Sequence, residues 1–125
     1  YESNEKIKDN TDIFIVDTYG KTKTFYNLCK NVFLGGSLIE HGGQNPLEAT
    51  RYGCNILHGP YVNNFAEIYN FLKKNKISQK INSHKKMTST LDKLLKKKTN
   101  SKKIQYKLKL IGQQILDSTL KEIKI

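Results

Sequence analysis

The chain is short of arginine, cysteine and long apolar stretches. Arg51 is the only arginine in 125 residues, and no run of about 18 apolar residues exists, so the sequence predicts no membrane-spanning helix. Cys29 and Cys54 lack the spacing of a metal site, and we expect both to be reduced and buried in a cytosolic protein. No Walker loop, GxGxxG, HExxH or GxSxG occurs, so nucleoside triphosphatases, zinc proteases and serine hydrolases lack their usual signatures here.

The size of the chain suits one domain. The first ten residues, YESNEKIKDN, are polar and match neither a signal peptide nor a transit peptide. The chain does not begin with Met, which is consistent with a domain cut from a longer protein.

Charge is distributed unevenly along the sequence. Residues 1–72 hold six Lys or Arg and eight Asp or Glu, whereas residues 73–125 hold sixteen Lys and three Asp or Glu. Such asymmetry is typical of proteins that bind nucleic acid or an anionic membrane surface. A coding bias towards lysine, with the side chains on solvated helix faces, explains the same counts.

Short apolar runs alternate with helical patterns through residues 1–82, which predicts an α/β core with a parallel sheet and helices on its faces. The predicted strands are 12–16 (DIFIV), 32–34, 54–57 and, more weakly, 77–81, and the predicted helices are 21–30, with Phe25, Leu28 and Cys29 on one face, 45–52 and 64–75.

Residues 83–125 form a Lys-rich tail of two predicted helices. The first covers 86–98, and the second is capped by Ser101 and runs to about Lys124. The apolar face of the first helix consists of Met87, Leu91, Leu94 and Leu95. We expect the apolar stripe of the second helix to bury against the sheet of the same chain; it consists of Ile104, Leu108, Ile111, Ile115, Leu116, Leu120 and Ile123.

Three loops, 17–21, 35–45 and 58–64, follow predicted strands and should open on the same rim of the sheet, where α/β proteins bind ligands. The middle loop, GGSLIEHGGQN, pairs bare backbone with polar groups. Gly35, Gly36, Gly42 and Gly43 can take positive φ, Ser37 offers a hydroxyl, and the helix after Pro46 begins with free N–H groups. These features together predict a cradle for a phosphate or phosphosugar.

Each of these features also has a purely structural interpretation. Asn45 to Glu48 and Asn64 to Glu67 both match a capping box, so Glu48 is either a cap or a ligand-binding acid. The glycines can be plain turns, Asp17 can simply end its strand, and His41 and His58 can be ordinary loop histidines.

The segment from about Asp12 to Ile68 closely resembles the C-terminal domain of the 3-deoxy-D-manno-octulosonic acid (Kdo) transferases. Five motifs carry the resemblance in order: DTYGK, FLGGS, GGQNPLE, GP and NF. The family pattern has Glu where this chain has Lys21, a change of two charges, so the role of Lys21 stays uncertain.

The resemblance implies the C-terminal half of a GT-B glycosyltransferase, a Rossmann-like domain that binds the donor CMP-Kdo without a metal or other cofactor. Glu48 would accept hydrogen bonds from the nucleotide ribose. The implied donor-binding residues are Gly20, Gly35, Gly36, Ser37, Gly42, Gly43, Gln44, Asn45, Glu48 and Asn64, with Lys21 and His41 uncertain and Phe65 beside Asn64 on the rim.

The resemblance also implies what lies outside the chain. An N-terminal domain of the same enzyme would bind the lipid A precursor and supply the general base, so this chain alone should be inactive. Glu40, His41 and Asp17 are base candidates on their chemistry alone. The enzyme would act at the cytoplasmic face of the inner membrane, where the tail lysines would meet anionic lipid.

Two other functions compete with this reading. One is a different GT-B nucleotide-sugar enzyme, either a glycosyltransferase or an epimerase. The other is a Lys-rich nucleic-acid-binding module, which is disfavoured because Tyr106 is the only Phe, Tyr or Trp after Phe71 and no reader motif is present. We therefore expect no nucleic-acid partner.

Overall fold

A parallel three-stranded sheet forms the centre of the protein in the computed structural model, which describes residues 6–123. The strands are β1 (Asn31–Leu34), β2 (Asn55–His58) and β3 (Ser78–Lys80), in the order β1-β2-β3. Val32 is aligned with Ile56, and Ile56 with Ser78. The predicted α/β class with a parallel sheet and flanking helices is confirmed.

Helices connect and flank the strands at the predicted places. They are α1 (Thr22–Leu28), α2 (Leu47–Arg51), a 3₁₀ turn (Asn63–Phe65) leading into α3 (Ala66–Lys74), α4 (His84–Lys96) and α5 (Ser101–Ile123). The predicted end of the last helix at Lys124 lies outside the described residues.

The core lies around the central strand β2. Ile56 and Leu57, neighbours whose side chains point to opposite faces of the sheet, are 0% and 1% exposed, because both faces of the strand are covered. The cluster around Ile56 contains Leu34, Ala49, Cys54, Tyr69, Leu72, Ile77 and Ile104.

Residues 12–16 are not a strand, contrary to the prediction. Ile13 and Ile15 are each 82% exposed, and Phe14 and Val16 are exposed as well. A strand needs a neighbour that completes its hydrogen-bonded ladder. Within residues 6–123 the sheet consists of β1, β2 and β3 only, and the run pairs with neither of its two edge strands.

The predicted buried face of α1 is also wrong in part. Leu28 is 72% exposed and Cys29 is exposed, while Phe25 is half-buried. Tyr26 packs against the core instead. Cys54 is buried as expected, with its Sγ 3.2 Å from the carbonyl oxygen of Cys29, and burial raises the pKa of the Cys54 thiol.

The Lys-rich tail packs differently from the expectation. Helix α5 lies mainly against α2, and of its predicted apolar stripe only Ile104 is buried, in the cluster that also contains Leu34 and Ile56 of the sheet. The stripe leaves the domain as the helix continues, because α5 is longer than the surface it covers. Its distal apolar residues are exposed, as is Leu95 of α4; they are Ile115, Leu116, Leu120 and Ile123.

Helix caps depart from the predicted residues at three places. The N-cap of α2 is Pro46 instead of Asn45. Asn100 caps α5, since its Oδ1 accepts from the amide of Lys103 at 3.0 Å, whereas Ser101 is pressed against Gly53 and its Oγ has no hydrogen-bond partner among residues 6–123. The capping box predicted for α3 does not form, because a 3₁₀ turn precedes the helix and its N-cap is Phe65.

Among residues 6–123, no helix combines the length and the hydropathy that crossing a bilayer requires.

The packing of β2 predicts a large stability difference between two truncations. Ile56→Ala should lower the free energy of unfolding by about 2–5 kcal/mol, because a buried side chain leaves a cavity. Leu95→Ala, at a position 75% exposed, should change it by less than about 0.5 kcal/mol. Urea denaturation measures both, and equal losses would show that β2 is not the centre of the core.

Candidate functional site

Two loops meet at the carboxyl edge of the sheet, residues 35–46 after β1 and residues 59–62 after β2. Parallel strands place both loops on one side, as the sequence predicts. Backbone hydrogen bonds join them: the amide of Tyr61 donates to the carbonyl of Ser37 at 2.9 Å, and that of Asn64 donates to Gly42 at 3.2 Å. The two loops therefore form one continuous rim.

The hydroxyl of Ser37 bridges the strand ends beneath this rim. Ser37 is 0% exposed, and its Oγ donates to the carbonyl of Leu34 at 2.7 Å and accepts from the amide of Gly59 at 2.9 Å. Gly59 passes so close that a Cβ there would collide with the Ser37 carbonyl oxygen. The hydroxyl predicted to contact a phosphate is thus engaged inside the protein, and Ser37 supports the loop from below.

The glycine pairs adopt conformations that other residues rarely reach. Gly36, Gly42 and Gly43 have φ of 67°, 90° and 77°, whereas Gly35 does not lie in the left-handed region. The amide of Gly43 donates to the carbonyl of Gly36 at 2.9 Å, which folds the loop back on itself. A Cβ on Gly42 would overlap the side chain of Asn64, so bare backbone is required there.

Several loop amides remain available to a ligand. Within residues 6–123, the backbone N–H groups of Gly35, Gly36 and Asn45 donate to no other group of the chain. Helix α2 has only five residues, so its dipole adds little, and the loop amides are the main donors. Pro46 stands just before the helix rather than at its first position.

An open polar cavity of about 680 Å³ lies on the rim. Of the predicted donor-site residues it contains His41, Gly42 and Asn64. The other lining residues are Glu40, weighed only as a base candidate, and three that the sequence analysis did not assign: Pro60, Tyr61 and Asn63. The turn chemistry of HGPYVNN marked their loop, but the residue types alone did not single out these side chains.

Gln44, Asn45 and Glu48 do not line this cavity; Gln44 and Asn45 continue the same loop, and Glu48 follows in α2. An imagined Cβ on Gly36 would lie 3.6 Å from His41 Cδ2 and 3.8 Å from Gln44 Cγ, so these three residues cluster. Asn45 Oδ1 accepts from the amide of Leu47 at 3.0 Å, two residues on, which closes a local turn; the predicted capping box does not form, because the N-cap of α2 is Pro46. Glu48 is exposed in the first turn of α2.

Gly20 and Lys21 lie elsewhere, at the start of α1. Gly20 has φ of 81°, and a Cβ there would meet no atom within 4 Å. Lys21 is exposed and is the N-cap of α1. The structure does not bring either residue into the rim cavity, so their predicted contact with a ligand stays a prediction.

Two aromatic side chains underlie the rim. The rings of His58 and Tyr69 have centroids 4.4 Å apart, and the Tyr69 hydroxyl donates to the carbonyl of Gln44 at 2.8 Å. Burial raises the pKa of Tyr69 to about 12, so its hydroxyl stays protonated at physiological pH. Burial lowers the pKa of His58, which keeps its imidazole neutral. His58 is therefore a packed residue rather than a loop histidine exposed to solvent.

No group of three or more His, Cys, Asp or Glu side chains within residues 6–123 is arranged to hold a metal ion.

Comparisons of the sequence with curated proteins and of the fold with solved structures both found similar proteins, whereas no protein-family model matches the chain. It is 30% identical to 3-deoxy-D-manno-octulosonic acid transferase of Haemophilus influenzae over 91% of its length, 30% identical to that of Aquifex aeolicus over 73%, and 31% identical to that of Rickettsia prowazekii over 92%. In each case the chain spans 26% of the relative, about a quarter.

A solved structure shares the fold. The C-terminal CMP-Kdo binding domain of WaaA from Acinetobacter baumannii superimposes with a TM-score of 0.66 at 22% identity, covering 78% of this chain and 51% of that one.

Removal of the bridging Ser37 hydroxyl should lower the free energy of unfolding, although no apolar side chain is truncated. Ser37→Ala leaves the buried amide of Gly59 without an acceptor and should lower the free energy of unfolding by about 1–3 kcal/mol. Ser118→Ala, at an exposed position of α5, is the matched control and should stay within about 0.5 kcal/mol. Denaturation curves that coincide for the two variants would contradict the bridge.

The buried imidazole predicts a pH dependence of stability. Because the pKa of His58 is lower in the folded protein than its ordinary value of about 6.5, the unfolded chain binds the proton first. The contribution is complete above about pH 6.5 and is lost as pH falls towards the folded pKa, by at most about 1.4 kcal/mol per pH unit. Urea denaturation between pH 8 and pH 5 measures this slope.

His58→Phe should flatten the slope while keeping a ring against Tyr69, and His84→Gln, at an exposed position, should leave it unchanged. A His58→Phe variant with the slope of the parent would assign the pH dependence to another group.

Proposed function

The chain is homologous to the 3-deoxy-D-manno-octulosonic acid transferases, and we propose that it is the C-terminal, donor-binding domain of such an enzyme. The observation that carries the proposal is the 30% identity over 91% of the chain, a stretch that includes the GGS and GGQNPLE loops. The fold match supports it. The proposed donor is CMP-Kdo, bound without a metal or other cofactor.

The rim supplies the groups that such a donor needs. The free amides of Gly35, Gly36 and Asn45 are the proposed contacts for the phosphate of CMP-Kdo, because unpaired backbone N–H groups bind phosphate oxygens well. Gly42 and Gly43 keep the backbone bare for close approach. The proposed donor residues also include Gly20, Gln44, Glu48 and Asn64, and as weaker candidates Lys21 and His41; Ser37, whose hydroxyl is buried and engaged, supports the loop from below.

Glu48 is the proposed acceptor of hydrogen bonds from the ribose. It lies in the first turn of α2, three residues after Asn45, and its carboxylate is exposed. Its charge also raises the pKa of the nearby Tyr26, second to burial. A carboxylate can accept hydrogen bonds from both ribose hydroxyls, and the position of Glu48 in the first turn of α2 fixes where that carboxylate stands.

Transfer requires a stabilised leaving phosphate and a deprotonated acceptor hydroxyl. Hydrogen-bond donors that are fixed in place can stabilise the developing charge on CMP, so the loop amides serve the first need. We assign the second to the N-terminal domain of the whole enzyme, which lies in the remaining three quarters of the relatives' length. The chain alone is therefore expected to be inactive.

The acceptor is proposed to be the lipid A precursor of lipopolysaccharide synthesis in a Gram-negative cell, at the cytoplasmic face of the inner membrane. The lysines of α4 favour such a location. Lys85, Lys86, Lys93 and Lys96 are exposed on its solvent side, and each contributes about 1 kcal/mol next to anionic lipid. Only Lys96 makes an ion pair there among the described residues, with Asp92 at 2.8 Å.

A different GT-B nucleotide-sugar enzyme is the alternative that the same fold allows. The nucleic-acid-binding alternative is weaker, because the exposed lysines of α4 have no aromatic side chain between them on which a base could stack. A comparison of the affinities for CMP, UDP and GDP distinguishes a Kdo transferase from a different GT-B enzyme. Salt-dependent gel shifts with single- and double-stranded nucleic acid test the nucleic-acid-binding alternative.

Titration of the isotopically labelled chain with CMP tests the proposal. We expect amide NMR shifts at residues 35–37, 43–45 and 47–48, because these residues surround the proposed phosphate and ribose contacts. UDP and GDP at equal concentration are the controls and should bind at least about tenfold more weakly, which corresponds to about 1.4 kcal/mol of preference for CMP. Shifts confined to the tail lysines, or no preference for CMP, would overturn the proposal.

A further inference from the structure

The side chain of Tyr69 reaches from the core to the glycine-rich loop. Tyr69 lies on α3 and is 3% exposed, yet its hydroxyl donates to the backbone carbonyl of Gln44 at 2.8 Å. Gln44 directly follows Gly42 and Gly43, which both have positive φ. Tyr69 therefore contacts the loop next to two glycines, where the loop backbone by itself is the most flexible.

A hydrogen bond to this carbonyl also fixes an amide. The peptide group is planar and trans, so the carbonyl of Gln44 and the N–H of Asn45 point in opposite directions from one rigid unit. When the carbonyl is held towards Tyr69 in the core, the N–H of Asn45 must point away from it. That N–H donates to no other group within residues 6–123.

Tyr69 itself has little freedom to move. Its ring packs against that of His58 with centroids 4.4 Å apart, and its own carbonyl accepts from the hydroxyl of Ser78 at 3.4 Å. His58 ends β2 and Ser78 begins β3. The ring and the backbone of Tyr69 are thus each held by a strand of the sheet, so the core sets where its hydroxyl meets the carbonyl of Gln44.

We propose that Tyr69 is a positioning residue, which aims the Asn45 amide at the donor phosphate through the carbonyl of Gln44. This inference rests on the proposed function. The phenol need not touch the ligand, since its effect passes through one peptide plane. The ring of Tyr69 contributes to the core, whereas its hydroxyl contributes to the site.

Tyr69→Phe separates these two contributions, because it keeps the ring and removes only the hydroxyl. We expect CMP affinity to fall about three- to tenfold in calorimetric titration, which is the size of one hydrogen bond. The affinity for cytidine, which has no phosphate, should be unchanged. Tyr106→Phe, at a position 61% exposed on α5, is the matched control and should bind both ligands like the parent.

A spectroscopic readout tests the geometry without any ligand. In Tyr69→Phe the amide signal of Asn45 should shift, while the amides of β2 remain as in the parent. Equal weakening of CMP and cytidine would indicate a merely structural role and would overturn the inference, and so would CMP affinity equal to that of the parent.

Failure of the parent chain to bind CMP would overturn the proposed function itself. An Asn45 amide unchanged by Tyr69→Phe would instead overturn only the positioning role, so the two failures are distinguishable.

Discussion

The carboxyl edge of the sheet keeps its shape through one buried hydroxyl, that of Ser37. It ties the end of β1 to Gly59 after β2, with hydrogen bonds of 2.7 Å to the Leu34 carbonyl and 2.9 Å from the Gly59 amide. The remaining loop contacts build on this bridge, because Gly59 must lie against Ser37 before Tyr61 and Asn64 can reach the backbone of the glycine loop. The buried Ser37 hydroxyl thus holds in place the loop whose backbone amides remain free at the protein surface.

The sequence was sufficient to predict what local residue types determine. The apolar runs of β1 and β2 and the helical periodicity of α3 each predicted an element that the structure contains, and the glycine pairs marked the rim. The engagement of Ser37 was not predictable, because its partner Gly59 is 22 residues away and comes close only through the sheet. The assignment of residues 83–125 as a distinct helical part stays a prediction.

The errors of prediction share one physical cause, which is that burial depends on a partner. The run 12–16 and the distal half of α5 have the apolar patterns of a strand and of a packed helix, and both are exposed within residues 6–123. The spacing of apolar residues shows that one face of an element is apolar, but it does not show which other element covers that face. The chain spans about a quarter of the length of the relatives that it matches.

A crystal structure of the chain with CMP bound measures the central claim most directly. The account predicts phosphate oxygens about 2.7–3.2 Å from the amides of Gly35, Gly36 and Asn45, with the ribose next to Glu48. A phosphate held only by lysine side chains of α4 or α5, with the loop amides still unoccupied, would contradict it.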